Sequence, residues 1–112
     1  WAKNAPILML VAAVETFSHN GKPNRWAMYD TGAASLSLSL QATAMGLIVH
    51  QMGGFDAEKS REAFNLPEDC RPMAMMAMGY QAGGFEHGLK GAERSRVPLN
   101  EFLFERVNPK VS

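Results

Sequence analysis

Apolar positions fall into three blocks, each with its own rhythm. Pro6-Ile7-Leu8-Met9-Leu10-Val11-Ala12-Ala13-Val14 is continuously apolar, and a polar stretch containing Gly21 and Pro23 follows it from Ser18 to Asn24. An unbroken run of this length, closed by turn chemistry, reads as a strand buried on both faces. Met73-Ala74-Met75-Met76-Ala77-Met78-Gly79-Tyr80 is a second such run, preceded by Pro72. Its Met and Ala content suits a helix, but the pattern favours a strand.

Between them lies the dominant block. No Asp, Glu, Lys or Arg occurs from Thr31 to Phe55. Ser35 to Ala44 alternates strictly, as a half-buried strand would. The run is too long for a strand, however, and has almost no β-branched residues before Ile48. At helical spacing, Trp26, Tyr29, Ala33, Leu36, Leu40 and Leu47 form one stripe, and Leu38, Ala42, Met45 and Val49 form another. Asn24 is the expected N-cap and Gly53 the expected stop. The pattern therefore predicts one helix from Arg25 to Met52, roughly 40 Å long. A compact chain of this size has a radius of gyration of about 13 Å. Such a helix is apolar or small on nearly every side, so a second chain or an upstream segment is expected to pack on it. Three Ser, two Thr and Gln41 within it argue against a membrane span.

After Gly53-Gly54, Asp56 is placed to cap a short amphipathic helix, Ala57 to Phe64, ended by Asn65 and Pro67. Gln81 to Ser95 is glycine-rich and reads as a loop. Leu99 to Phe104 reads as a short strand or docking extension. The 112 residues make one domain or less. The chain opens on Trp1, in mid-pattern, and is expected to have lost a segment upstream.

Composition narrows the function classes. With 46% hydrophobic and 20% charged residues and a formal net charge of zero, the chain is neither disordered nor built for a polyanion, which excludes nucleic acid as a partner. The single Cys70 cannot form an intrachain disulfide and lacks the Cys/His partners of a zinc site, so no metal is expected and the setting is reducing and cytoplasmic. No nucleophile stands beside a base. Ser35, Ser37 and Ser39 read as small packing residues, the Met residues as core filler, and no catalytic side chain is predicted.

Two features carry chemistry. Two glycines in Gln51-Met52-Gly53-Gly54-Phe55-Asp56 allow the backbone to come close to a flat ligand with N–H groups facing it. Arg94-Ser95-Arg96 puts two guanidinium groups on one side of an extended segment, where they can grip a phosphate. Each alone is matched by an ordinary turn or a solvated basic pair.

Taken in order, Trp26-x-x-Tyr29-Asp30-Thr31-Gly32-Ala33-Ala34, Leu40-Gln41-Ala42-Thr43-Ala44-x-Gly46-Leu47 and His50-Gln51-Met52-Gly53-Gly54-Phe55-Asp56 resemble the FMN-dependent nitroreductase family. The similarity continues through Phe64-Asn65-Leu66-Pro67, Gly79-Tyr80 and Arg94-Ser95-Arg96-Val97-Pro98-Leu99. The resemblance implies an α+β fold, with residues 1–112 as the C-terminal part of a nitroreductase-like domain. In it a long central helix packs with a small mixed β-sheet at a homodimer interface. It implies FMN as cofactor, with Gln51, Met52, Gly53 and Gly54 along the flavin and Arg94 and Arg96 on its phosphate. It further implies NADH or NADPH as electron donor and a nitroaromatic, quinone or similar small-molecule acceptor. The family's early Arg/Ser-rich segment has no counterpart here, so the FMN site is expected to be incomplete. The alternative is a non-catalytic dimerisation half-domain that does not bind flavin.

Overall fold

The computed structural model describes residues 2–81 and 95–103. Its regular elements are β1 (Ile7–Val14), α1 (Ala27–Ala44), β2 (Ile48–Met52), α2 (Ala57–Ala63) and β3 (Cys70–Gly79), with single 3-10 turns at Ala2–Asn4 and Leu99–Glu101. The chain is α+β, as expected. The sheet has the order β1-β3-β2, and both pairings are antiparallel, so the three described strands are not mixed.

The last strand is the central one, which explains its composition. Met76, Ala77 and Met78 are buried, Met76 completely. Paired along both edges, the segment is held as a strand by its neighbours, and that environment overrides the helical preference of Met and Ala. Pro72 enters this strand without a ladder donor. It sits where the register against β1 shifts, between Val11↔Ala74 and Ala12↔Pro72. A bulge is a place where a central strand tolerates proline. Cys70 opens β3. β1 is an edge strand, and Ile7, Leu8 and Val14 are exposed rather than buried on both faces.

Around the strand ends, polar contacts fix the frame. Arg61 of α2 donates to the Pro67 carbonyl at 2.8 Å and the Cys70 carbonyl at 2.6 Å. Arg71 pairs with Glu15 at 2.7 Å, and the Thr16 hydroxyl donates to Asp69. Gly79 lies under Pro6: a methyl group on it would stand 2.7 Å from the proline Cγ.

The helix differs most from expectation. It stops at Ala44, not Met52. Gly46 takes φ +79°, its N–H donates to the Thr43 carbonyl, and the Leu47 N–H donates to the Ala42 carbonyl. This is the Schellman arrangement, which satisfies the last carbonyls and turns the chain out of the helix. Ile48–Met52 then becomes β2, and the expected stop at Gly53 is a strand end instead. The N-terminus also starts later. Trp26 occupies the N-cap position with no side-chain cap. Asn24 forms the preceding turn, its Oδ1 accepting from the Trp26 N–H at 3.2 Å.

α2 matches its prediction closely. Asp56 is its N-cap and accepts from the Lys59 N–H at 3.0 Å. Asn65, at φ 48°, ends it with the same pair of carbonyl bonds seen at Gly46. Leu99–Glu101 forms an exposed 3-10 turn instead of a strand. Phe104 lies outside the described residues, as does nearly all of the loop predicted from Gln81 to Ser95.

α1 packs on β1 and β2 through its small residues. Ala27 and Ala42 are buried, and Thr31, Ala34, Ser35 and Leu38 line a groove shared with Met9–Ala12 of β1. The opposite side carries Tyr29, Leu36 and Leu40, all exposed. Thr31, Ser35, Ser37, Ser39 and Thr43 each donate their hydroxyl to the carbonyl four residues back. That bond lets a hydroxyl lie against an apolar neighbour without an unmet donor.

Candidate functional site

The sheet edge brings four of the six predicted site residues together. Gln51 and Met52 end β2, where they pair with Met76 and Met75 of the central strand. Gly53 and Gly54 follow directly, beyond the last ladder pair, and both are exposed. The Phe55 N–H closes back on the Gly53 carbonyl at 3.1 Å, and Asp56 then starts α2. The turn is thus anchored on one side by a strand and on the other by a capped helix.

Nothing inside the described chain requires either residue to be glycine. Neither has a positive φ, and a methyl group on either would meet no atom within 4 Å. Gly46 and Gly79 differ: the first is held by its backbone angle and the second by Pro6. Two adjacent glycines cost backbone entropy on folding. Among the described residues, nothing accounts for either glycine.

The neighbouring side chains are ordered. Gln51 Nε2 donates to the Ser39 hydroxyl of α1 at 3.1 Å, linking the helix to the strand end. Asp56 titrates below its ordinary value of 3.8, because the Lys59 backbone N–H and then the Lys59 ammonium stabilise its carboxylate. The ammonium lies 3.1 Å from Oδ2 on an exposed surface.

The basic pair is not joined to this turn. Arg94 lies outside the described residues. Arg96 is exposed and donates to the adjacent Ser95 carbonyl at 3.2 Å. Among the described residues, no hydrogen bond or ion pair connects it to Gln51–Gly54. A hollow of about 340 Å³ lies at the opposite end of β2, between Pro6, Ile48, His50, Gly79 and Tyr80. It includes none of the four turn residues. Sequence reasoning missed Ser39, which it took only as a packing residue. The Gln51 contact spans twelve residues and needs the fold to appear.

Among the described residues, no helix is long and apolar enough to cross a membrane. The model of the Nitroreductase family matches residues 1–80. An uncharacterised 15.4 kDa protein of Mycolicibacterium smegmatis is 36% identical over 107 residues, covering 96% of this chain and 71% of that protein. The protein DrgA of Synechocystis is 33% identical over 97 residues, covering 84% of this chain and 46% of that protein. A crystal structure of an oxidoreductase containing FMN superposes with a TM-score of 0.81 at 33% identity, covering 94% of this chain and 57% of that one. The chain thus spans less than two thirds of DrgA and of the FMN-containing oxidoreductase. With the family's model matched over residues 1–80 of its 112, the chain belongs to the nitroreductase family.

Proposed function

We propose that this chain forms one wall of an FMN site in a homodimeric, cytoplasmic oxidoreductase. The enzyme would take electrons from NADH or NADPH and deliver them to a nitroaromatic, quinone or similar acceptor. The observation that carries the proposal is the exposed Gly53-Gly54 turn, whose glycines answer to nothing inside the described chain. The similar oxidoreductase that contains FMN supports the choice of ligand.

The residues present suit a flat, electron-accepting ring. Backbone N–H groups at Gly53 and Gly54 lie outside the sheet ladder and are unobstructed by side chains. Donors of that kind favour negative charge on a ring edge, and they need no reorganisation when it develops. Gln51 and Met52 extend the same edge with one polar and one polarisable side chain. When bound, FMN supplies the hydride and electron transfer, and the protein supplies placement and electrostatics. Arg94 and Arg96 are assigned to the FMN phosphate, where guanidinium groups bind oxygen pairs well.

The outer face of α1 supports the dimer. Tyr29, Leu36 and Leu40 are 78%, 59% and 63% exposed in the single chain. A contiguous apolar strip of this kind marks a surface meant for a partner. The same face would serve the second reading, a dimerising half-domain without flavin.

Titration of the purified protein with FMN, followed by quenching of flavin fluorescence, separates the two. Saturable quenching is expected, lost in Gly53→Val and Gly54→Val. Because a methyl group there meets nothing within 4 Å, Gly53→Ala and Gly54→Ala should weaken quenching while keeping the wild-type circular dichroism. Replacing Arg94 and Arg96 by Ala in the wild-type background should weaken binding as well. A soluble, colourless dimer that ignores added FMN would sink the flavin reading and leave the dimerisation domain.

A further inference from the structure

Four hydroxyls form a single row along α1. Thr31 donates to the Ala27 carbonyl, Ser35 to Thr31, Ser39 to Ser35 and Thr43 to Ser39, at 2.7 to 2.9 Å. Each of these protons is spent within the helix. A hydroxyl has one donor and two acceptor positions, so each Oγ in the row offers only lone pairs to its surroundings.

One of them is used. Ser39 Oγ lies 3.1 Å from Gln51 Nε2. Since the Ser39 proton is already committed to the Ser35 carbonyl at 2.9 Å, Ser39 must receive a hydrogen bond from Gln51. The network therefore settles which way the Gln51 amide points: its NH₂ end faces α1, and its Oε1 end is turned away from Ser39. Gln51 is exposed and stands two residues before the double glycine, so the free end of the amide is an acceptor beside the Gly53-Gly54 turn.

We propose that Ser39 is a positioning residue for this site. By accepting from Gln51 it holds the end of β2 against α1 and presents Gln51 Oε1 as an acceptor to a bound ligand. The ligand class is a planar heteroaromatic with an N–H or O–H at its edge. The inference rests on the flavin reading and gives that site a polarity: backbone donors from the glycines, with one fixed side-chain acceptor beside them. Ser39 itself touches no ligand, and its effect passes entirely through Gln51.

The test is a double-mutant cycle read by FMN fluorescence quenching, with backbone amide exchange across β2 (Ile48–Met52) measured on the flavin-free protein. Ala is a better helix former than Ser, so Ser39→Ala should not unfold α1. Loss of one net hydrogen bond is expected to raise the FMN dissociation constant about three- to tenfold. Gln51→Ala should do the same or more, and the double variant should be no worse than Gln51→Ala alone. Ser39→Thr keeps the hydroxyl and should recover near wild-type binding. In the flavin-free Ser39→Ala protein, exchange of the ladder amides of β2 (Ile48–Met52) should quicken, which a residue that only fills space would not cause. If wild type binds FMN but Ser39→Ala matches it, or the two losses simply add, the positioning role is overturned and the flavin reading stands. If wild type fails to quench FMN at all, both fall together.

Discussion

The two sides of α1 carry opposite kinds of residue. Toward the sheet it presents Ala27, Thr31, Ala34, Leu38 and Ala42, and Ala27 and Ala42 are buried. Away from the sheet it presents Tyr29, Gly32, Ala33, Leu36 and Leu40, with the large members exposed. A helix that served only to cover a sheet would turn its large apolar residues inward and its polar ones outward. Here the inner face is small apart from Leu38, and most of the bulk points outward. Burying side chains the size of Leu is worth about 1.5–3 kcal/mol each, and Leu36 and Leu40 stay more than half exposed. The helix thus leaves its largest apolar side chains uncovered by its own sheet.

The largest expected effect breaks the outer face. Leu36→Glu combined with Leu40→Glu should weaken dimerisation by about 100-fold or more, the scale of losing a central anchor from an interface. Sedimentation velocity across a concentration series reads it directly. Both side chains are exposed in the single chain, so the monomer's own stability should change by no more than about 0.5 kcal/mol. An unchanged sedimentation profile would remove the outer face from the interface.

Substitutions on the inner side and at the sheet should act on the fold instead. Ala42→Leu forces a larger side chain into the helix–sheet contact, and Gly79→Ala puts a methyl group 2.7 Å from the rigid Pro6 ring. Each should lower the urea-unfolding free energy by about 1–3 kcal/mol. Comparable losses from the inner and outer sets in the same monomer assay would abolish the distinction between the faces.

This contrast was only half legible in the sequence. β1, β3 and α2 announce themselves locally: two unbroken apolar runs, and a helix bracketed by Asp56 and by Asn65 with Pro67. The end of α1 does not. Leu47 and Val49 continue both helical stripes, so periodicity passes through Gly46 without registering the Schellman turn. The absence of charge from Thr31 to Phe55 hides the boundary further, because an edge strand and a buried helix share that composition. For the site, Gln51–Gly54 is contiguous and could be named from the chain alone. The Ser39–Gln51 bond could not, since it depends on β2 being a strand that runs beside α1.

Gly32 offers a smaller and sharper probe, because the two faces predict opposite signs. It lies mid-helix on the outer side, and a methyl group there meets nothing within 4 Å. For the isolated monomer, Gly32→Ala should therefore raise stability by about 0.5–1 kcal/mol through helix propensity alone. In the dimer the same methyl group should weaken association, if the glycine is there to let a second backbone come near. Urea unfolding of a monomeric background and sedimentation of the wild-type background measure the two signs separately. Stabilisation in both backgrounds would mean that the partner does not approach at Gly32.

The smallest effect tests whether packing or local capping holds each helix. α1 has no side-chain cap at Trp26, whereas α2 depends on Asp56. The Asp56 carboxylate is stabilised first by the Lys59 N–H and then by the Lys59 ammonium, so its folded pKa lies below 3.8. A depressed carboxylate contributes stability that is fully present above its unfolded pKa and is lost as pH falls through the folded value. Between pH 7 and 5 neither helix should respond through this group. Below about pH 4, where unperturbed Asp begins to protonate, amide protection relative to the intrinsic rate should fall in Ala57–Ala63 while the amides of α1 that face the sheet keep theirs. Asp56→Asn retains an N-cap acceptor but removes the titration, and should flatten the pH response of α2. Loosening of both helices together on acidification would show that α1 leans on α2 and its cap, and that its inner contact with the sheet is not sufficient to hold it.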